Sequence, residues 1–380
     1  MWVRQMATAS QMSNGLRIIN LFGAFFCRML DICISPNSLY NSLDLLEAVL
    51  FTASREKSIE ECTHRLRDMS GNKTPSADTI LRRLGKLTKD QLFETFDAFV
   101  VHNLARAKRK GLLKKPVLVA IDCHDEPYYG KERPPEVKGT KKCKGTNYAY
   151  QYIVLDIVVE GQRFTLAMLP VPSLVDANDL VKVLLKKIMP FIDIEAVLLD
   201  RGFYSVAVIC DIMELGLVFE MPAPRNQKVK DYLALQRGFR YSIDPYTVES
   251  KPRSVTVTIV MAQSPRKVRE LPDKDPLFVF FTNGSVSEEL IREKIENYDR
   301  RWGIETGFRV RDDFLIQTTT RNPVIRYFFF VLAAMLYDNW LLVNILAGWT
   351  PNLHYDYAIL AREYRWWIEC WTALRHQIDR

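Results

Sequence analysis

The apolar patterning of this chain predicts an α/β fold with a helical region ahead of it. Three observations carry the prediction. VLVAID (117–122) and AVLLD (196–200) are short apolar runs bounded by polar residues, and they read as buried strands. YQYIVLDIVV (centred on 151–159) and RFTLAMLPV (163–171) are separated by GQ at 161–162, as the strands of a hairpin would be. NDLVKVLLKKIMPFI (178–192) and SVAVICDIMELG (205–216) have helical spacing and alternate with the later strands.

In chain order, residues 1–110 read as a helical domain. LRIINLFGAFFCRMLDICI (16–34) is apolar nearly all round, which suits a packed helix or an oligomer contact. LYNSLDLLEAVLFTAS (39–54) and SIEECTHRLRDMS (58–70) follow with helical spacing. GNKTPSADTILRRLGKL (71–87) then places a Gly, a Pro and a Ser cap ahead of an apolar and basic helix. Two short helices joined by a turn fit a helix-turn-helix or an ordinary helical hairpin equally well. In the first case Asp78, Thr79, Arg82, Arg83 and Lys86 are the residues placed to reach DNA.

KRKGLLKK (108–115) is a basic linker, and a core over 111–224 follows it. Residues 123–148 read as a polar loop after the first strand, and LVFEMP (217–222) as the last strand of this part. Ser205 caps the 205–216 helix and Gly216 ends it. Residues 225–284 are rich in Val, Thr, Tyr and Phe with period-2 stretches, which predicts a β-rich insertion. The core resumes at 285–347 with a helix over 285–309 and an apolar helix over 322–346 that packs on the sheet. A tail over 348–380 holds RWW (365–367) and a last amphipathic helix.

A chain of 380 residues with 48% hydrophobic and 26% charged residues is long enough for more than one folding unit and is globular in composition. A net charge of +7 and a pI near 8.9 favour an anionic partner, most commonly nucleic acid. Seven cysteines without CxxC or paired-histidine spacing exclude a disulfide framework and a zinc site, and Cys123 reads as a small buried residue. No secretory signal is expected, and the apolar run Tyr327–Tyr337 is shorter than the ~20 residues that span a bilayer. The expectation is a cytoplasmic protein with no membrane partner.

The densest cluster of charge and aromatic residues is YDRRWGIETGFRVRDD (298–313). Taken alone it reads as a solvated, salt-bridged helix, with Arg301, Glu305 and Arg309 at i, i+4 spacing. Two further acids follow apolar strands: Asp122 after VLVAI, and Asp200 after AVLL. Carboxylates at strand ends emerge where open α/β sheets bind ligands. Asp122 is preferred over Asp125 and Glu126 because it terminates the apolar run; a cap or turn role is the bland alternative. His124 reads as solvated, Phe203 and Tyr204 as core, and Gly202 as the residue that lets the backbone turn after Asp200. Trp302 is either a core anchor or a platform for a displaced base.

LLDRGFYS around Asp200, followed by Tyr298-x2-Arg301-x3-Glu305, resembles the DDE transposases of the insertion-sequence-four superfamily, whose late motif is Y-x2-R-x3-E-x6-K. IDCHDEPYYG with downstream KGT and GQRFTLA resembles the archaeal, halobacterial-type branch, and the resemblance covers about residues 115–345. It implies a ribonuclease-H-like catalytic core with the first strand central, a β-rich insertion and a helical N-terminal DNA-binding domain. It also implies that Asp122, Asp200 and Glu305 bind two Mg²⁺ or Mn²⁺ ions and catalyse DNA cleavage and strand transfer at terminal inverted repeats. Double-stranded DNA is then the partner, and a homodimer forms in the DNA complex. Tyr298 and Arg301 would contact phosphates near the cleaved end. Asp312 stands where the motif has Lys, which leaves Arg309 or Arg311 to supply that cation. The competing readings are a catalytically decayed DNA-binding descendant and a structure-selective nuclease of the same fold.

Overall fold

The computed structural model describes residues 9–30, 32, 38–70, 74–159, 163–236, 240–250, 252–263, 277–346 and 359–378. The GQ turn expected at 161–162 lies outside them. Helices open the chain: α1 (Ala9–Met29), α2 (Ser42–Arg55), α3 (Ile59–Ser70), α4 (Ala77–Leu84) and α5 (Lys89–Arg109). A mixed region follows, with β1 (Val117–Pro127), β2 (Val137–Cys143), β3 (Thr146–Ile157), β4 (Thr165–Pro170), α6 (Ala177–Ile188), β5 (Ile194–Leu199) and α7 (Val206–Glu214). Next come β6 (Phe219–Pro222), α8 (Gln227–Leu235), β7 (Tyr241–Ser250), β8 (Arg253–Gln263) and β9 (Leu277–Thr282). The chain closes with α9 (Glu288–Asp299), α10 (Trp302–Asp312), α11 (Pro323–Leu346) and α12 (Ala361–Ile378). The chain divides into two compact units, Met1–Leu112 with Thr306–Arg380, and Leu113–Glu305.

The first unit is helical. Asn41 and Thr88 open α2 and α5 with reciprocal capping boxes, and the Ser76 hydroxyl accepts the Thr79 N–H at the start of α4. α4 buries Ile80 and Leu84 and leaves Arg82 and Lys86 exposed. α11 is the interior helix here. Its buried residues run from Ile325 to Ile345, and the ring pairs Phe26–Phe328 (6.0 Å) and Phe93–Tyr327 (5.4 Å) seat it against α1 and α5. At 24 residues it exceeds the short run read from sequence and is long and apolar enough to cross a membrane, but 94% of its most apolar window is buried inside the protein. Its polar side chains are spent internally. Asn344 accepts the Ile359 N–H at 2.9 Å and donates to the Ile359 carbonyl, while Asn339 donates to the Tyr364 hydroxyl at 2.7 Å. The helix belongs to the helical unit.

The second unit is built on a nine-stranded mixed sheet in the order β2-β3-β1-β5-β6-β9-β8-β7, with β4 also on β3. β1 lies between antiparallel β3 and parallel β5, and β5 is parallel to β6. The series β4-β3-β1-β5-β6 is consistent with the ribonuclease-H-like order. The strands flanking β1 are buried on both faces, which is why they read as continuous apolar runs.

One expectation changes. Residues 123–148 are not a loop: β1 continues to Pro127, and β2 turns at Lys144 (φ 48°) and Gly145 (φ 91°) into β3. Among the described residues of the β2 sequence VKGTKKC, Val137 alone is apolar and buried, which leaves that strand without a period-2 apolar signal. The strands of the 225–284 segment extend the same sheet, because β9 pairs antiparallel with β6 and carries β8 and β7 outward on the same ladder. α8 within this segment was not read from sequence.

Candidate active site

The ladder between β1 and β5 brings the first two acids together. Ile121 pairs with Leu199 in parallel register, and the next residue on each strand is Asp122 and Asp200. Adjacent strands lie about 4.8 Å apart, so the two carboxylates leave the sheet side by side. Asp122 does not end its strand, as expected, but sits where β5 stops and β1 runs on beside β3. Asp200 is the backbone cap of the 3₁₀ turn Arg201–Phe203, yet its side chain makes no capping hydrogen bond. The bland role of a turn former is thus not what its carboxylate does. Gly202 has open space where a Cβ would sit and no left-handed φ, so that turn does not demand glycine.

The third acid arrives on a broken helix. The single helix expected over 285–309 is split into α9 and α10 by a tight turn, in which the N–H groups of Arg301, Gly303 and Ile304 each bond to the carbonyl three residues earlier. α9 is held in place from two sides. Ile291 and Ile295 pack with Val260, Ala262 and Phe280 of the insertion strands, and Lys294 Nζ donates to the fully buried Glu220 of β6 at 2.9 Å. The insertion therefore has a definite task, which is to seat the helix that leads into Arg301. Gly303 allows the Arg163 side chain to pass: a Cβ there would lie 3.1 Å from its Nε, an atom that is buried and has no hydrogen-bond partner.

Arg301 is the centre of the arrangement. One guanidinium nitrogen donates to Asp122 Oδ2 at 2.9 Å and the other to Glu305 Oε1 at 3.0 Å, with 9% of the Arg301 side chain exposed. Burial alone would lower its pKa, but Tyr298, Asp122, Asp200 and Glu305 outweigh that and raise it, so the cation is secure. Asp122 bears the strain of the site. Burial pushes its carboxyl up from 3.8 to about 6, and Asp200 and Glu305 push the same way against Arg301 and the Cys123 N–H. Cys123 itself is driven to about 12 by burial and the neighbouring acids, which removes it as a nucleophile.

The remaining site expectations divide. Tyr298 is buried, packs at a tilt against Phe278 (centroids 5.1 Å apart) and donates its hydroxyl to the Leu199 carbonyl at 3.3 Å, so it pins the helix to the end of the strand that leads into Asp200. Arg301 is spent on carboxylates. Arg311 is 2% exposed, with its guanidinium over the Phe308 and Tyr337 rings, so it is a core residue of the helical unit and not a surface cation. Arg309 is exposed, as is Asp312. Trp302 is 46% exposed, which excludes the core anchor. Asp125 accepts from Gln151 and Glu126 from Tyr152, both as cross-strand partners on β3. Arg83 reaches Ser38 while Arg82 and Lys86 stay exposed on the helical unit. Lys294, Glu220 and Arg163 were not singled out from sequence; nothing local to them signals their partners, which are tens of residues away.

A protein-family model described as the transposase DDE domain matches residues 114–337. The chain belongs to this family. The match runs through all three acids, and the family is one of DNA-transposition enzymes. DDE transposases use divalent metal ions. Among the described residues, however, no three His, Cys, Asp or Glu side chains form a group that could hold a metal ion. In place of the expected carboxylate cage, a guanidinium joins two of the three acids, because its parallel donors match two carboxylates at once. Among solved structures, a piggyBac transposase in a synaptic complex with hairpin DNA is similar in fold, with a TM-score of 0.53 and 11% identity over 98% of this chain and 80% of that one. No curated protein matches the chain.

Proposed function

We propose that this transposase cleaves DNA at the terminal inverted repeats of its own element and joins the freed 3′ end to a target, with Asp122, Asp200 and Glu305 as catalytic acids. The observation that carries the reading is that Arg301 joins Asp122 to Glu305, acids distant in sequence, while Asp200 follows Leu199, the strand residue paired with Asp122's neighbour Ile121. The donor set is all hard oxygen, and burial first, with Asp200 and Glu305 adding to it, raises Asp122 against the pull of Arg301. That donor chemistry suits Mg²⁺ or Mn²⁺, which Asp122, Asp200 and Glu305 would hold once the Arg301 bridge between Asp122 and Glu305 opens. Such ions, when bound, activate water and offset charge on the leaving oxygen. Arg301 holds Asp122 and Glu305 in register, Tyr298 pins the helix to β5, and Lys294 ties the helix to β6. The Tyr298-x2-Arg301-x3-Glu305 spacing supports the insertion-sequence-four superfamily and its archaeal branch. Arg82, Arg83 and Lys86 of the helical unit, together with the exposed Arg309, are the cations offered to DNA, and a homodimer on paired ends is the assembly.

The test is Mg²⁺-dependent nicking of DNA that carries the inverted repeats flanking the gene. Asp200→Asn and Glu305→Gln should abolish nicking and keep DNA binding; undiminished nicking by either variant sinks the assignment. The second reading, a catalytically decayed DNA-binding protein, draws on Asp312 in the motif's Lys position and on Arg301 occupying two carboxylates. Wild-type protein that binds the repeats without cutting them decides for that reading.

A further inference from the structure

The ribbon that sequence reading took for a loop has no part in the site described above. Its tip, Val137–Thr146, carries Lys138, Lys141, Lys142 and Lys144 and no acidic residue. Lys138 is spent on the Val175 carbonyl at 2.9 Å. Lys141, Lys142 and Lys144 are exposed and make no ion pair among the described residues. Three exposed cations with no acid among them make the tip locally positive, which suits an anionic partner.

The ribbon is also braced. Tyr129 is 67% exposed, and its hydroxyl donates to the Lys144 carbonyl at 3.0 Å, which lays an aromatic ring along the basic tip. Thr146 Oγ1 donates to the Tyr128 carbonyl at 2.7 Å, and Tyr128 in turn donates to the Glu132 carbonyl at 2.7 Å. Tyr128 folds so closely over Gly130 that a Cβ there would collide with its ring. The pieces beside the tip are thus tied to it, and a stiff two-stranded ribbon loses little freedom on binding.

Its placement gives the partner a length. Asp122 pairs with Val154 on β3, and the turn at Gly145 lies nine residues back along that strand. At about 3.3 Å per residue the tip is roughly 30 Å from Asp122. Along B-DNA at ~3.4 Å per base pair this is about nine base pairs, close to one helical turn. The major groove admits a two-stranded β-ribbon, and lysines beside an exposed tyrosine are a combination that suits a phosphate backbone.

From this we infer that the β2–β3 ribbon is a second DNA contact: Lys141, Lys142 and Lys144 grip phosphates about one helical turn inward from the bond cut beside Asp122. The inference rests on the proposed end-cleaving function and adds to it the minimum length of DNA that is fully engaged.

The experiment compares wild type with the triple variant Lys141→Gln, Lys142→Gln, Lys144→Gln on a 25-base-pair duplex bearing the flanking repeat, and on the same end trimmed to about 8 base pairs, short of the ribbon's reach. All three side chains are exposed, and an unchanged melting curve establishes that the variant folds. On the long duplex the variant should bind more weakly, with a slope of log affinity against log salt reduced by about 2.7, at ~0.9 per phosphate contact. Raising salt from about 50 to 200 mM should therefore weaken wild type about 40-fold more than the variant. On the short duplex the two should bind and nick alike. An unchanged salt slope on the long duplex overturns the inference and leaves an acidic protein surface as the ribbon's partner. Equal losses on both duplexes overturn the one-turn placement. If wild type nicks neither duplex, it is the underlying reading of the acids that fails, whatever the ribbon does.

Discussion

Replacing Asp122 by Asn should make the folded protein more stable at pH 8 while removing its activity. The side chain is 20% exposed, and its carboxyl is raised from 3.8 to about 6, mainly by burial and then by Asp200 and Glu305 against the pull of Arg301. Between about pH 4 and 6 the folded state keeps a proton that the unfolded chain has released. Wild-type stability therefore falls as pH rises through that window and stays low above it. Two pKa units at ~1.36 kcal/mol each give about 3 kcal/mol, already net of Arg301, and Asn has the shape of the protonated acid without the ionisation. For a unit the size of Leu113–Glu305 that is about 6–12 °C in Tm at pH 8, shrinking towards zero near pH 4. Thermal melts of both proteins across pH 4–8 in EDTA, so that no divalent ion masks the carboxylate, measure the difference. An Asn variant that is no more stable at pH 8, or a difference that does not vary with pH, refutes the claim that this carboxylate is held at a cost.

Three further outcomes follow from partners at fixed places. Lys294→Met leaves Glu220 buried with an uncompensated charge and should cost about 3–5 kcal/mol in urea unfolding, whereas the double variant with Glu220→Leu should recover most of it. Asn344→Ala strips the Ile359 N–H of its partner inside the helical unit and should cost about 1–3 kcal/mol, read from the shift of the denaturation midpoint. Arg301→Lys cannot span Asp122 and Glu305 with parallel donors, so nicking should fall about 100-fold with DNA affinity nearly unchanged; equal losses in both would show that Arg301 meets DNA directly.

How much of this was legible depended on whether a signal was local. VLVAI and AVLL announced β1 and β5 because strands buried on both faces write continuous apolar runs, and the acids after them were legible for the same reason. β2 was not, since VKGTKKC sets the buried, apolar Val137 among polar residues and only the Lys144–Gly145 turn marks a hairpin. The period-2 stretches of the insertion gave strands but not their partner. The pairing of Glu220 with Thr282 joins segments with no mutual signature, so an insertion and a continuation of the sheet look identical in sequence. Helical spacing over 285–309 could not reveal the turn at Arg300 and Arg301, because three-residue and four-residue hydrogen bonding differ by a rotation too small for a charge pattern to register. Arg311 shows the converse error. A cation in a basic run was taken for the surface, and aromatic rings claimed it for the interior.

The pairing of β6 with β9 has a bearing on how the polypeptide is made. Phe219–Pro222 receives its outer neighbour only from Leu277–Thr282, about 60 residues later. During synthesis, then, β6 is an edge strand with unpaired backbone groups until Thr282 has emerged from the ribosome and folded back. Unpaired edges of this kind recruit other nascent chains, and distant pairings close slowly. Premature termination anywhere between Pro222 and Thr282 should yield an aggregating fragment, and the yield of full-length protein should depend on how quickly that stretch is translated.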